Sequence, residues 1–416
     1  MTSSKRFSRA MWFMFGALAA AAVLLVAYQI PPVKFRLEWR LDAFSGIVRG
    51  WIRPDPTLPT PASASASSFQ PMIFPTGSGA IEQTANPPTP APSPTALPGS
   101  VSLPSPAWEK QDWNNCGPAT LALGLRFHGW EGDQFTISDL LKPDRGDKNV
   151  NIEELVFYVR TRAGWLNTDF RVGGTIERLK SFIAAGLPVI VEKGFVLGEG
   201  DGGGGWAGHY LLLTGYDDQQ QNFIVQDTNP GTGGPDRTIS YEELDKGWRE
   251  FNRVYMYIYL PRDESRIQSI LGEDADLDHS RTAALDAAQA EIEANPQDPY
   301  GWFNFGTNLV YFERYGEASQ AFDNALALGL PWRFTRYQFG PYIAYFNQGR
   351  FQDVVDLAEA TLFRTYKAEE SLLWRGWANY RLGDLSSAVI DWREALQYNP
   401  NYQDALYALD FVGSSP

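Results

Sequence analysis

The sequence predicts an α+β domain joined to an all-α repeat solenoid, with a single transmembrane helix at the N-terminus. Three observations carry this reading. Between about residues 108 and 262, short apolar runs alternate with capped helical segments and Gly, Asn and Asp turns. From about residue 282 the chain turns to Ala, Leu and aromatic residues at helical spacing and repeats itself. Residues 11–30 are uncharged and mostly apolar, about the length a bilayer requires.

Residues 1–10 carry Lys5, Arg6 and Arg9 ahead of the apolar stretch, and Pro31 and Pro32 follow it. No small-x-small cleavage site follows cleanly and no cysteine offers a lipid attachment point. An uncleaved signal anchor with a cytoplasmic tail is expected. Lys34, Arg36, Arg40 and Arg49 on the far flank weigh against that orientation. Residues 31–53 set Leu37, Leu41, Phe44, Ile47, Val48 and Trp51 at helical spacing, the pattern of a segment lying along a membrane surface. Residues 54–107 hold 14 of the chain's 28 prolines among Ala, Ser and Thr. They are expected as an extended, disordered linker, which favours an extracytoplasmic place for the globular domains.

Cys116 is the only cysteine in 416 residues, so the chain has no internal disulfide to form. Residues 117–128 read as a helix with Pro118 in the first turn and Gly129 as the stop. Cys116 then sits at a helix N-terminus, where unpaired N–H groups and the macrodipole favour a thiolate. A free cysteine is more often a small buried hydrophobe, but the polar neighbours and the helix start favour a nucleophile.

A thiol nucleophile needs a base, and the chain has three histidines. His128 closes the helix that Cys116 opens, about three turns away, and reads as a C-cap or packing residue. His279 lies in an acidic, exposed stretch. His209 begins the apolar run 210–216, a buried strand. The polar residues 217–222 then turn the chain into a second strand over 223–227. A hairpin centred near Asp218 sets His209 directly opposite Asp227, subject to a bulge in the turn. The Asp227 carboxylate would fix the His209 tautomer and stabilise its charged form.

The rest of the domain fits. Asn151 caps a helix running to about Arg162, Thr175 opens a second helix ended by Gly186, and residues 188–192 form a short strand. The glycine-rich stretch 198–205 leads into a strand rather than a helix, which disfavours a phosphate cradle and favours a mobile flap or plain flexible loop.

Gln111-x4-Cys116-Gly117-Pro118-Ala119-Thr120 forms one segment of a wider pattern. Gly186-Leu187-Pro188-Val189-Ile190-Val191, Gly208-His209-Tyr210, Gly215-Tyr216-Asp217 and Asp227-x-x-Pro230-Gly231 complete it. Together they resemble the cysteine peptidases related to bacteriocin-processing (double-glycine leader) peptidases of the papain-like superfamily, over about residues 108–260. The resemblance implies a papain-like fold, with Cys116 as nucleophile, His209 as general base and Asp227 as orienting acid. It also implies an oxyanion hole made by Gln111 and the Cys116 N–H. The Gln111–Cys116 spacing is five, where relatives often show six, so Asn114 or Asn115 are alternative donors. The chain has no nucleotide-binding motif and no bundle of membrane spans, so leader-peptide cleavage is not carried over.

Residues 263–281 read as an acidic linker. Beyond them, Arg314–Phe322, Arg350–Ala358 and Asp384–Trp392 align at offsets of 36 and 34 residues. This resembles tetratricopeptide repeats over residues 282–416, stacked as a solenoid. The groove of such an array would bind a partner protein or the substrate; a rigid spacer or a cap on the peptidase-like domain is the alternative. Trp302, Trp332, Trp374, Trp377 and Trp392 are expected as repeat core rather than a ligand cage.

The net charge of −14 argues against nucleic acid as a partner. Three scattered histidines and one cysteine make no zinc spacing, so no metal or other cofactor is expected. The function expected is a membrane-anchored cysteine peptidase acting on peptides or proteins. A catalytically silent peptide-binding scaffold and an acyl-transfer or amidase enzyme with the same triad are the alternatives.

Overall fold

The computed structural model describes residues 9–28, 30, isolated positions between 33 and 52, 58–61, and 96–416 apart from 148, 198–204, 230 and 366. Two compact units result: residues 1–55 with 197–204, and residues 56–196 with 205–416. In the first, α1 (Arg9–Tyr28) is a 20-residue helix. Among the described residues no helix is long and apolar enough to cross a membrane; the side chains at 9–13 and 24 lie outside them. The span expected over residues 11–30 is therefore not identified among the described residues. Most of the segment 31–53, and residues 198–204 of the glycine-rich stretch, also lie outside the described residues.

The second unit holds both globular parts. Its sheet begins with β1 (Ser100–Ser102), and α2 (Cys116–Phe127), α3 (Gln134–Leu141) and α4 (Ile152–Arg162) follow. Then come β2 (Asn167–Arg171), α5 (Ile176–Ala184), β3 (Val189–Leu197), β4 (Gly205–Asp217), β5 (Asn222–Asp227), β6 (Gly234–Ser240), α6 (Tyr241–Trp248) and β7 (Tyr255–Tyr259). The strand order is β2-β7-β3-β4-β5-β6, with β1 added against β4. Local chemistry agrees with these bounds. Asn151 and Glu154 form a capping box on α4, Thr175 caps α5, and Gly186 takes a φ of 82° just beyond it.

Each sheet face carries its own core. On one face Val189, Val191, Leu211 and Leu213 pack with Phe182 of α5 and Trp248 of α6. On the other, Ile190, Tyr210, Leu212, Met256 and Ile258 join Leu121 and Leu125 of α2. That second core does not stop at the domain boundary: it continues through Phe303, Phe322, Phe334 and Tyr345 of the repeats. Gly124 lets α2 approach the sheet closely, since a Cβ there would stand 3.3 Å from both Ile190 and Ile258.

After β7 comes α7 (Glu264–Leu271), and the helical array follows with α8 (Leu277–Ala294), α9 (Pro299–Tyr311), α10 (Tyr315–Leu328), α11 (Gly340–Asn347), α12 (Phe351–Arg364), α13 (Glu369–Arg381), α14 (Leu385–Tyr398) and α15 (Gln403–Phe411). The aligned segments open α10, α12 and α14, the second helices of three pairs. Trp302 and Trp392 are core, as expected.

Two expectations are corrected. Residues 263–281 are not a linker: Ile267 and Leu271 sit four apart on α7 and are buried against the sheet core, and Asp274 pairs with Arg178 at 2.6 Å. The acidic run masked that short apolar face. Nor is 54–107 wholly an unpacked linker. Val101 pairs with Tyr216, Tyr216 donates to the Pro98 carbonyl at 2.7 Å, and Leu58 is buried in the core, donating to Leu330 O at 3.0 Å. Single apolar residues in a proline-rich stretch carry no periodicity from which this packing could be read.

The first helices of the repeats turn toward the sheet domain. Asn308 of α9 exchanges hydrogen bonds with Asn252 at 2.8 and 3.4 Å, and Asn304 donates to Arg249 O at 2.7 Å. Gln338 donates to Glu250 O, Lys367 pairs with Asp144 at 2.8 Å, and Asn399 donates to Leu141 O. Trp206 stacks on Phe251 and tilts against Phe334. The repeats thus cap the sheet domain.

Candidate active site

Cys116 is the first residue of α2, half-buried, and the helix receives no side-chain cap from Asn115. Its N-terminal N–H groups therefore remain directed at the thiol region, as a thiolate requires. His209 and Asp227 arrive from β4 and β5, both buried, with Nε2 of the ring 2.8 Å from the carboxylate Oδ1. The register differs from the expected one. Gln226 stands opposite Leu212 and a bulge follows at Thr214, so Asp227 is not the residue opposite His209. The two meet diagonally instead, within the reach of long side chains on one face.

The charges support one another. Burial alone would push the Cys116 thiol up. A hydrogen bond to His209, the positive charge of that ring, the Tyr210 N–H and the Lys142 ammonium outweigh it, and the thiol lies below its ordinary value. Burial would likewise lower His209, but Asp227 and the thiolate raise it to about 9. Asp227, opposed by burial, is held low by His209, by the Asn229 N–H at 2.9 Å and by Arg237 at 3.4 Å. These directions favour a thiolate–imidazolium pair. Asp227 engages Nε2, leaving Nδ1 to face the sulfur.

Gln111 is tied beside the acid. Its N–H donates to Thr228 O at 2.9 Å and its Oε1 accepts from Thr228 Oγ1 at 3.0 Å, which leaves the amide NH2 disengaged from Thr228. The two alternative donors separate. Asn115 gives its Nδ2 to Gln134 Oε1 at 2.9 Å, whereas Asn114, at a φ of 54°, has a buried Nδ2 with no hydrogen-bond partner. His128 Nε2 donates to Ile258 O, 3.0 Å away, and His279 is exposed; neither is brought to the thiol.

Two positioning residues escaped the sequence. Gln134 accepts from the Asp112 N–H and from Asn115 while donating to Glu109 and the Lys110 carbonyl, so one side chain pins the loop before Cys116. Lys142, 3% exposed, donates to Asn114 O and Asp147 O at 2.7 Å each. A lysine after a helix reads as a solvated C-cap, and nothing nearby signals burial. Among the described residues no group of His, Cys, Asp and Glu is arranged to hold a metal ion.

Comparison with known proteins places these observations. Residues 103–256 match the Peptidase_C39 like family, and residues 369–402 match the tetratricopeptide repeat. None of the curated proteins matches the chain. Among solved structures, a C39-like peptidase from Bacillus anthracis is similar at 19% identity, over 38% of this chain and 96% of that one, with a TM-score of 0.30. The peptidase domain of Streptococcus ComA, a bifunctional ABC transporter, is similar at 16% identity over 38% and 98%, with a TM-score of 0.28. Xylellain, a cysteine protease from Xylella fastidiosa, is similar at 14% identity over 40% and 87%, also at 0.28. Residues 103–256 thus form a C39-like domain, followed by a helical region that matches the tetratricopeptide repeat.

Proposed function

We propose that the protein is a cysteine peptidase acting on peptide or protein substrates through Cys116, His209 and Asp227. The observation that carries this reading is the convergence of three elements distant in sequence on one charge-paired triad, with the imidazole between carboxylate and thiol. The Cys116 thiolate attacks the scissile carbonyl carbon and forms a C–S bond. The His209 imidazolium gives its proton to the leaving amine as the C–N bond breaks. Neutral His209 then takes a proton from water, which attacks the thioester, and the C–S bond breaks to release the acid. The Cys116 N–H with the free amide of Gln111, or with Asn114 Nδ2, stabilises the oxyanion.

Residues 11–30 anchor the chain in a membrane with the globular domains outside the cytoplasm. The support is the apolar sequence and the exposed Met14, Phe15, Leu18, Val23, Leu25 and Val26 of α1. The repeats bind a partner or the substrate beside the peptidase domain.

The test is a peptide library incubated with the full chain, read by mass spectrometry for new N-termini and for an acid-quenched acyl adduct on Cys116. Cleavage and adduct that vanish in Cys116→Ala support the reading. Peptides retained without either product point to a silent peptide-binding domain.

A further inference from the structure

A cavity of about 280 Å³ opens where the peptidase domain meets the repeats. Glu153, Glu192 and Phe170 of the sheet domain line it together with Arg281, Thr307 and Tyr337 of the helical region. This is slightly below the roughly 300–1,000 Å³ of drug-sized sites, a volume for one side chain rather than a cofactor. It is linked to the nucleophile through Tyr210. The Tyr210 N–H bonds the Cys116 sulfur, the Tyr210 ring abuts Gly117, and its hydroxyl donates to Val150 O at 3.1 Å, beside Asn151 of the lining.

The polar lining is incomplete. Arg281 lies over the Tyr311 ring at 4.9 Å, and its buried Nε meets no hydrogen-bond partner. Such a donor is destabilising unless something accepts from it. Glu153 is exposed yet crowded enough that burial raises its pKa, the mark of a group at the mouth of a concavity. Glu192 is 5% exposed, and burial pushes it well above its ordinary value. A carboxylate ligand would satisfy Arg281 but face two acids. An ammonium would satisfy the acids but face Arg281. A carboxamide carries both an acceptor and a donor without net charge, and its methylenes suit the aromatic walls.

We propose that this cavity is a substrate subsite built jointly by the two domains, and that it takes a glutamine or asparagine side chain of the peptide. The proposal deepens the peptidase reading and rests on it for the word substrate. The repeats then act as one wall of the specificity pocket.

Ligand-observed NMR on the full chain decides this, using N-acetyl-glutamine methylamide against its glutamate, lysine and methionine counterparts. The glutamine compound is expected to bind at least about fivefold tighter than the other three. Arg281→Met and the cavity-filling Thr307→Phe, each confirmed folded by its melting transition, are both expected to abolish that preference. Absent binding, equal binding of all four compounds, or a preference that survives both variants overturns the proposal. Alkylation of Cys116 measured alongside separates the two readings: an unactivated thiol with intact glutamine binding removes the peptidase but leaves the pocket.

Discussion

The peptidase domain and the repeat array follow opposite construction rules. In the repeats, each helix packs on its chain neighbours, so structure is local and periodic. In the C39-like domain the candidate-site residues come from separate elements: Cys116 on a helix start, His209 on β4, Asp227 on β5 and Lys142 beyond α3. Yet the two share one apolar core, which runs from Leu121 and Ile258 to Phe303 and Tyr345. The local half therefore holds one face of the long-range half, and the geometry of the site depends on both.

The harshest way to break that comparison is to remove one side of it. A chain ending at residue 276, which keeps α7, exposes Trp206 and Phe251 where they pack on Phe334 and Tyr337, and is expected to aggregate or to lose its cooperative melting transition, as read by calorimetry. A sharp transition at the full-length temperature would show that the repeats are a mere attachment.

Asp227→Asn comes next. It leaves the fold but removes the charge that raises His209, and turnover of any cleaved peptide is expected to fall on the order of 10²–10⁴-fold. An unchanged kcat would mean that the acid orients nothing.

At the junction, Asn252→Leu strands the Asn308 amide in a buried setting, costing about 1–3 kcal/mol in denaturant unfolding. The double variant Asn252→Leu, Asn308→Leu is expected to recover most of that loss. If it does not, the amide pair is more than a satisfied contact.

The smallest effect tests Lys142. Lys142→Met removes a cation that lowers Cys116 and frees the Asn114 carbonyl, so alkylation at pH 6 is expected to slow about threefold, since one full pKa unit is tenfold. A rate equal to wild type would reduce Lys142 to a loop clamp.

Much of this was legible in the sequence. Cys116 at a helix start, the capped α4 and the repeat offsets follow from local chemistry, because caps, glycine stops and periodicity are short-range signals. Sequence also pairs His209 with Asp227, although by a register two residues off, because the turn is centred between Gln219 and Gln220 rather than at Asp218, and polar turn residues do not fix its centre. Lys142 and Gln134 were invisible for a different reason: a buried polar side chain is recognised by its partners, and those partners are brought by the fold. The same holds for the junction, where Asn304 and Asn308 read as ordinary helical residues until Arg249 and Asn252 face them.

The central claim is that Cys116 is an activated thiolate paired with His209. Because it is the only thiol, the rate of iodoacetamide alkylation against pH reports on it alone. The account predicts a plateau at neutral pH, well below the free-thiol value of about 8.5, and a second rise as His209 loses its proton near pH 9. Both features are predicted to vanish in His209→Ala. A single titration at an ordinary thiol pKa, identical with and without His209, would contradict the account.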